Sequence, residues 1–373
     1  MIYIVGLLAV IFLALAALVV SRMVAVVRGV NVNKVDEDAT YTGVSNRVNG
    51  AMFMVFLVLG SIAATWSFID ATQYFLPEAS SPHGRRVDTL FWVSMSIVTA
   101  AFMLTNTILF YFAFRYQARK NYKAAYYPEN HKLELIWTVV PAVIMAVMVF
   151  TGWRAWRDIM SEAPANAQEI EIIGKQFNWI VRYPGVDDNK LGNFNYKLID
   201  NNNDTGIDFS DEKSFDDFTS TTEMHIPVGK PIHLKIRARD VLHSVFIPHM
   251  RVKMDAVPGM PTRFWFVADK TTEQMKNDLN NQDFTYEIAC TEVCGRGHFS
   301  MRLRLIVEDE DSWKKWCAEQ KPLLTSFPEY ATRIPANLKA KAAKYLPADS
   351  AAPSDSTTAT TEQGGSAVSV SLR

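Results

Sequence analysis

Between Cys290 and Met301 the chain reads Cys-Thr-Glu-Val-Cys-Gly-Arg-Gly-His-Phe-Ser-Met, placing two thiols, an imidazole and a thioether within twelve residues. A second imidazole, His243, follows the strand-like stretch Ile232–Ala238. Soft sulfur ligands together with imidazole suit copper, and a weak axial Met marks copper electron-transfer sites. Two cysteines do more than one, because each thiolate can bridge two copper ions while one histidine terminates each ion. A structural zinc site would accept two cysteines and two histidines, but zinc has no use for Met301. A Cys290–Cys294 disulfide in an oxidising compartment leaves both histidines unexplained. Ligand softness and spacing together favour a dinuclear copper centre.

Such ligands need a stiff frame, and the polar half of the chain supplies one. Stretches rich in β-branched and aromatic residues occur at Glu169–Ile173, Trp179–Tyr183, Ile232–Ala238, Arg263–Val267, Phe284–Ala289 and Met301–Val307. In the last, Met301, Leu303, Leu305 and Val307 alternate with Arg302, Arg304 and Ile306, the period of a strand with one face on a core. Short strands divided by Gly, Pro and Asn turns predict an all-β sandwich. The acidic, Asn-rich run Asp187–Ser220 reads as a surface loop, and Asp311–Gln320 and Pro335–Tyr345 as short terminal helices. The Ser, Thr, Ala and Gly tail at Pro347–Arg373 has too little apolar surface to offset its ordering entropy, which predicts disorder. Cys317 reads as a packed free thiol, and His225, His233 and His249 as ordinary polar residues. Without a Cys-x-x-Cys-His run, no c-type haem is attached to this chain.

The first part of the chain is of another kind. Over 373 residues the net charge is -1, which gives no electrostatic reason to expect a nucleic-acid partner. Four apolar stretches, Ile2–Val20, Ala51–Ile69, Leu90–Phe114 and Ile136–Trp156, approach or exceed the roughly 20 residues that a membrane-crossing helix needs. Ala14-Leu15-Ala16 imitates a signal-peptide cleavage box, yet the first run has no basic flank before it and continues through Val20. Arg22, Arg28, Lys34 and Arg47 follow the first run, and Arg115, Arg119, Lys120, Lys123 and Lys132 lie between the third and fourth. Positive-inside reasoning puts both connections in the cytoplasm, so four crossings leave the C-terminal half outside.

The cysteine run closely resembles the binuclear copper (CuA) motif of cytochrome c oxidase subunit 2. Asp240-Val241-Leu242-His243-Ser244 and Lys253-Met254-Asp255-Ala256-Val257-Pro258-Gly259 are similar to that family's flanking signatures, and the resemblance covers roughly Leu90 to Trp316. It implies a transmembrane hairpin (88–157) preceded by two extra helices (1–72), then a cupredoxin-like Greek-key CuA domain (168–320) and a disordered tail (347–373). It implies copper ligands His243, Cys290, Glu292 through its carbonyl, Cys294, His298 and Met301, with the Glu292 side chain helping to hold magnesium at the catalytic subunit. Glu134 matches the glutamate at the mouth of that family's proton path, although a carboxylate at a helix start is also favoured by the dipole alone.

The implied function is that of subunit 2 of an aa3-type oxidase in a bacterial inner membrane, with the copper domain on the periplasmic side. The CuA centre accepts electrons from a cytochrome c and relays them to haem in subunit 1, where oxygen is reduced to water with proton translocation. Subunits 1 and 3, the donor cytochrome and membrane lipid are the implied partners. One segment departs from the pattern: where the family has Gln-Trp-Tyr-Trp, with electrons arriving at the first Trp, this chain has Gln176-Phe177-Asn178-Trp179. A copper-bearing nitric oxide reductase subunit would share the ligands, a quinol oxidase subunit would lack them, and a membrane-anchored copper-binding protein would not need Glu134 or Glu292.

Overall fold

The computed structural model describes Val19 and residues 43–119, 125–185 and 189–347. The chain divides into two compact units, residues 1–75 with 94–141, and residues 76–93 with 142–373. Three long helices, α1 (Gly43–Ala71), α2 (Pro82–Arg115) and α3 (His131–Ile159), are each long and apolar enough to cross a membrane. Their side chains are apolar around the whole circumference and exposed, a distribution stable in lipid and not in water. They coincide with three of the four expected spans; the first, Ile2–Val20, lies outside the described residues apart from Val19. In the first unit Phe110 meets Phe56 and Phe53 of α1 with ring centroids 5.5 and 5.9 Å away.

The second unit is a sandwich of two five-stranded sheets, consistent with a cupredoxin-like domain. The strands are β1 (Gln168–Lys175), β2 (Asn178–Tyr183), β3 (Phe218–Ser220), β4 (Glu223–Pro227), β5 (Pro231–Ala238), β6 (His243–Ile247), β7 (Val252–Ala256), β8 (Thr262–Val267), β9 (Tyr286–Cys290) and β10 (Arg302–Glu308). One sheet runs β3-β2-β1-β5-β8 and the other β4-β10-β9-β6-β7. Alternation sends Ile170, Ile172, Leu234 and Ile236 from one sheet, and Ile288 and Leu305 from the other, into a common core. All six expected strands form, and β3, β4, β6 and β7 are additional. So is helix α4 (Thr272–Asp278), whose start is closed by a reciprocal capping box between Thr271 and Gln274. Residues 76–93 are tied to this sandwich: Arg251 reaches Asp88 at 2.8 and 2.9 Å, and Ser81 donates to the Met250 carbonyl at 2.9 Å.

The expectation of a plain surface loop at Asp187–Ser220 is corrected by the structure. Its residues Ile207, Phe209 and Phe215 are buried against Leu323, Leu324, Tyr330 and Ile334, a second apolar core made with the segment after α5 (Glu310–Glu319). Polar composition concealed this because the three residues that enter this core are spread among Asp, Asn, Ser and Lys. Beneath the insertion lies a buried ionic network on the outer face of the first sheet. Arg182 bonds Asp217 and Glu171 and donates to the Gly192 carbonyl, while Arg237 holds Glu171 at 2.7 Å. Charges this deep persist because each is paired and hydrogen-bonded. The tail beyond residue 347 lies outside the described residues.

Candidate metal centre

The chemistry-bearing run is the connection between two adjacent strands. β9 ends at Cys290, β10 begins at Arg302, and their antiparallel pairing closes the loop, with the Cys290 N–H donating to the Met301 carbonyl at 3.1 Å. β6 lies on the other side of β9, with Val245 opposite Cys290, so His243 at its start arrives beside the loop. Thr291 N–H donates to the Ser244 carbonyl at 3.1 Å and fastens loop to strand. A 3-10 turn over His298–Ser300 then brings His298 and Met301 back toward the cysteines.

Six donor atoms converge. The two thiol sulfurs are 3.9 Å apart. Cys290 Sγ lies 3.8 Å from His243 Nδ1, and Cys294 Sγ lies 3.6 Å from His298 Nδ1. Met301 Sδ is 3.8 Å from Cys294 Sγ, and the Glu292 carbonyl oxygen is 3.2 Å from Cys290 Sγ. Each sulfur thus has its own imidazole nitrogen and its own weak donor. The spacing is far beyond the roughly 2.05 Å of a disulfide, and both thiols are free. Burial, reinforced by the neighbouring Cys290, pushes the Cys294 thiol up to about 11. Metal binding here would therefore displace protons.

A second layer holds these donors in place. His243 is fully buried, and its Nε2 lies 2.8 Å from Asp240 Oδ1, which leaves Nδ1 turned to the sulfur. Burial alone would raise the Asp240 carboxyl, but the N–H groups of Gln176 and Val241 and the His243 ring hold it below the usual carboxylate range. Gln176 also donates its side-chain amide to the Cys294 carbonyl at 2.7 Å. Trp179, fully buried, meets the His243 ring edge-on with centroids 6.0 Å apart. The Phe177 ring lies against the ligand loop: a Cβ added at Gly297 would come within 2.5 Å of it.

His243, Cys290, Glu292, Cys294, His298 and Met301 are thus brought together, with Phe177 and Trp179 beside them. Glu134 lies elsewhere, in the first turn of α3, where it accepts from the Asn130 N–H at 3.3 Å and lies 3.1 Å from His131 Nδ1. His225 is held between Glu223 and Glu308 and stacks on Trp316, with ring centroids 4.0 Å apart. His249 packs edge-on to Phe284 and Tyr286, and Cys317 is half-buried. Among the described residues, the tight grouping of metal-ligating side chains is His243, Cys290 and Cys294. Sequence reading passed over Gln176 and Gly174 as supports. The signal for Gln176 was its place at the head of the aromatic segment, which had been weighed for its rings alone.

Comparison with known proteins agrees with this geometry. The transmembrane-domain model of cytochrome c oxidase subunit II matches residues 69–155, and the periplasmic-domain model of the same subunit matches residues 168–309. The alternative cytochrome c oxidase subunit 2 of Bradyrhizobium diazoefficiens is 34% identical over 263 residues, 70% of this chain and 83% of that protein. Cytochrome c oxidase subunit 2 of Thermostichus vulcanus is 25% identical, covering 67% of this chain and 80% of the relative. That of Cereibacter sphaeroides is 26% identical, covering 66% and 80%. With membrane-spanning helices, a periplasmic sandwich and a cysteine–histidine cluster where the copper domain should carry it, this chain belongs to the cytochrome c oxidase subunit II family, a subunit of the terminal oxidase.

Proposed function

We propose that the cluster holds two copper ions and serves as the electron-accepting centre of an aa3-type cytochrome c oxidase. The observation that carries this reading is the pair of thiol sulfurs 3.9 Å apart, each with its own imidazole nitrogen. The donor set fits copper: soft sulfur at the centre, imidazole at the ends, and thioether and carbonyl as weaker donors. Cys290, Cys294, His243 and His298 would hold the ions, with Met301 and the Glu292 carbonyl as the weaker donors. When bound, the copper pair supplies a one-electron carrier between a cytochrome c and the haem of subunit 1, where oxygen is reduced with proton translocation.

The remaining work belongs to this chain's residues. Asp240 fixes the His243 tautomer, Gln176 fixes the loop carbonyl at Cys294, and Trp179 keeps water from the buried ring. Phe177, partly exposed, and Trp179, buried, make up the electron-entry region. The Glu292 carboxylate has no hydrogen-bond or ion-pair partner among the described residues, which leaves it free to help hold magnesium at subunit 1. Glu134 would stand at the mouth of a proton path, at the cytoplasmic start of α3. Two extra helices within 1–72, a hairpin at 88–157, a Greek-key CuA domain at 168–320 and a tail at 347–373 complete the proposed organisation. The chain is placed in a bacterial inner membrane as a four-span subunit beside subunits 1 and 3.

Low-temperature EPR with metal analysis on the copper-loaded full chain tests the centre. A seven-line hyperfine pattern at two coppers per chain, lost in Cys294→Ser, is the expected result. A four-line mononuclear signal, or zinc at one per chain, would overturn the reading.

A further inference from the structure

The contacts around the donor atoms join into a single link between the two halves of the set. His243 Nε2 lies 2.8 Å from Asp240 Oδ1, and Asp240 Oδ2 accepts from the Gln176 backbone N–H at 2.7 Å. The Gln176 side-chain amide donates to the Cys294 carbonyl at 2.7 Å. One end of this link is the imidazole beside the Cys290 sulfur, and the other is the cysteine that has His298 beside it.

The two halves need such a link for a topological reason. Cys290 closes β9, and the β6–β9 ladder sets it against the strand that His243 opens, with Val245 opposite. Cys294 and His298 lie in the loop between β9 and β10, where no strand pairing holds them. Gln176 stands between β1 and β2 of the opposite sheet and reaches across to that loop. Gly295 leaves the room for it: its φ is +134°, and a Cβ there would come within 3.0 Å of Gln176 Nε2. A ligand loop ordered beforehand binds more tightly than one that the metal must order on arrival.

We propose that Gln176 is a positioning residue that fixes the separation of the two halves before metal arrives, holding His243 through Asp240 and the Cys294–His298 half through the Cys294 carbonyl. The inference rests on the copper reading of the centre and gives a role to a residue that donates no ligand. Its two arms are chemically separable. A side-chain replacement at position 176 breaks the Cys294 arm and keeps the backbone N–H, whereas Asp240→Ala breaks the His243 arm.

The test uses the copper-loaded full chain in detergent, with copper affinity read by chelator competition and the site by EPR. Gln176→Met keeps length and bulk without a donor, and Gln176→Glu sets an acceptor against the carbonyl. Both should lower copper affinity about 10- to 100-fold, the range for supports of metal ligands, and change the hyperfine splitting. On an Asp240→Ala background, Gln176→Met should cost less than about three-fold more, because supports within one link are not additive. Parental affinity and splitting in Gln176→Met would overturn the proposal. So would tighter copper binding in Gln176→Glu, which makes the effect one of charge, or full multiplication of the two single losses, which makes the supports independent. A lowered urea midpoint of the metal-free chain with unaltered splitting would mark a merely structural residue and overturn it too. A parent chain without a two-copper signal would instead remove the copper reading beneath it.

Discussion

Gly174→Ala should damage the metal centre although residue 174 donates no ligand. Gly174 sits near the end of β1, and a Cβ there would lie 2.7 Å from His243 Cδ2, 2.8 Å from Cγ and 3.0 Å from Cβ. Carbon atoms settle at about 3.5–4.0 Å, so ring and backbone would have to separate by roughly 0.8–1.3 Å at the closest contact. Neither can move cheaply. The backbone at Gly174 is paired with Ala238 on one side and Trp179 on the other, and its carbonyl accepts from the Arg239 N–H at 2.9 Å. The ring is fully buried, tied to Asp240 at 2.8 Å and faced by Trp179. Overpacking of this kind costs about 1–3 kcal/mol, and metal-ligand distances tolerate shifts of only about 0.2 Å. We expect Gly174→Ala to lose about 1–3 kcal/mol in urea unfolding of the detergent-solubilised chain. Its copper stoichiometry should fall and its hyperfine pattern should change. Gly152→Ala, where an added Cβ meets nothing within 4 Å, is the control expected to keep both. Full copper loading with an unaltered spectrum in Gly174→Ala would refute the claim that the strand backbone sets the His243 position.

Three further outcomes follow from the same structure. Arg182→Met leaves Glu171 and Asp217 buried without their shared cation and should cost about 3–5 kcal/mol in chemical denaturation; a loss under about 1 kcal/mol would mean the network is dispensable. Leu324→Ala empties part of the second core at a cost of about 2–5 kcal/mol, and hydrogen exchange should rise in residues 189–217 while the copper signal persists; unchanged exchange there would separate the insertion from that core. Burial pushes the His249 imidazole down to about 4 from 6.5, with Arg251 adding to the shift. The folded chain then holds this ring neutral while the unfolded chain takes up a proton. The associated stability is complete above pH 6.5 and is lost as pH falls toward 4. The urea midpoint should therefore drop less between pH 7.5 and 4.5 in His249→Gln than in the parent chain, and parallel curves would count against the assignment.

How much of this was legible in advance depended on whether the signal was local. The membrane helices were, because roughly 20 apolar residues in a row can be satisfied only by lipid or a very large core. β10 was, because Met301, Leu303, Leu305 and Val307 keep a strict period of two. β4, β6 and β7, five residues each, were not anticipated as strands. The insertion was misread because Ile207, Phe209 and Phe215 acquire meaning only when Leu324 and Tyr330, more than a hundred residues later, arrive to cover them.

The sequence by itself determined which atoms could bind metal. Ligand softness is a property of residue type, and five of the six donors sit in one twelve-residue run. What the tertiary structure decided is that these atoms meet. His243 is 47 positions from Cys290 and reaches it through the β6–β9 pairing. Gly174, Gln176 and Trp179 come from the opposite sheet to position and seal it. Only folding could show that Trp179 is buried while Phe177 is partly exposed, because exposure depends on which surfaces the other strands leave uncovered.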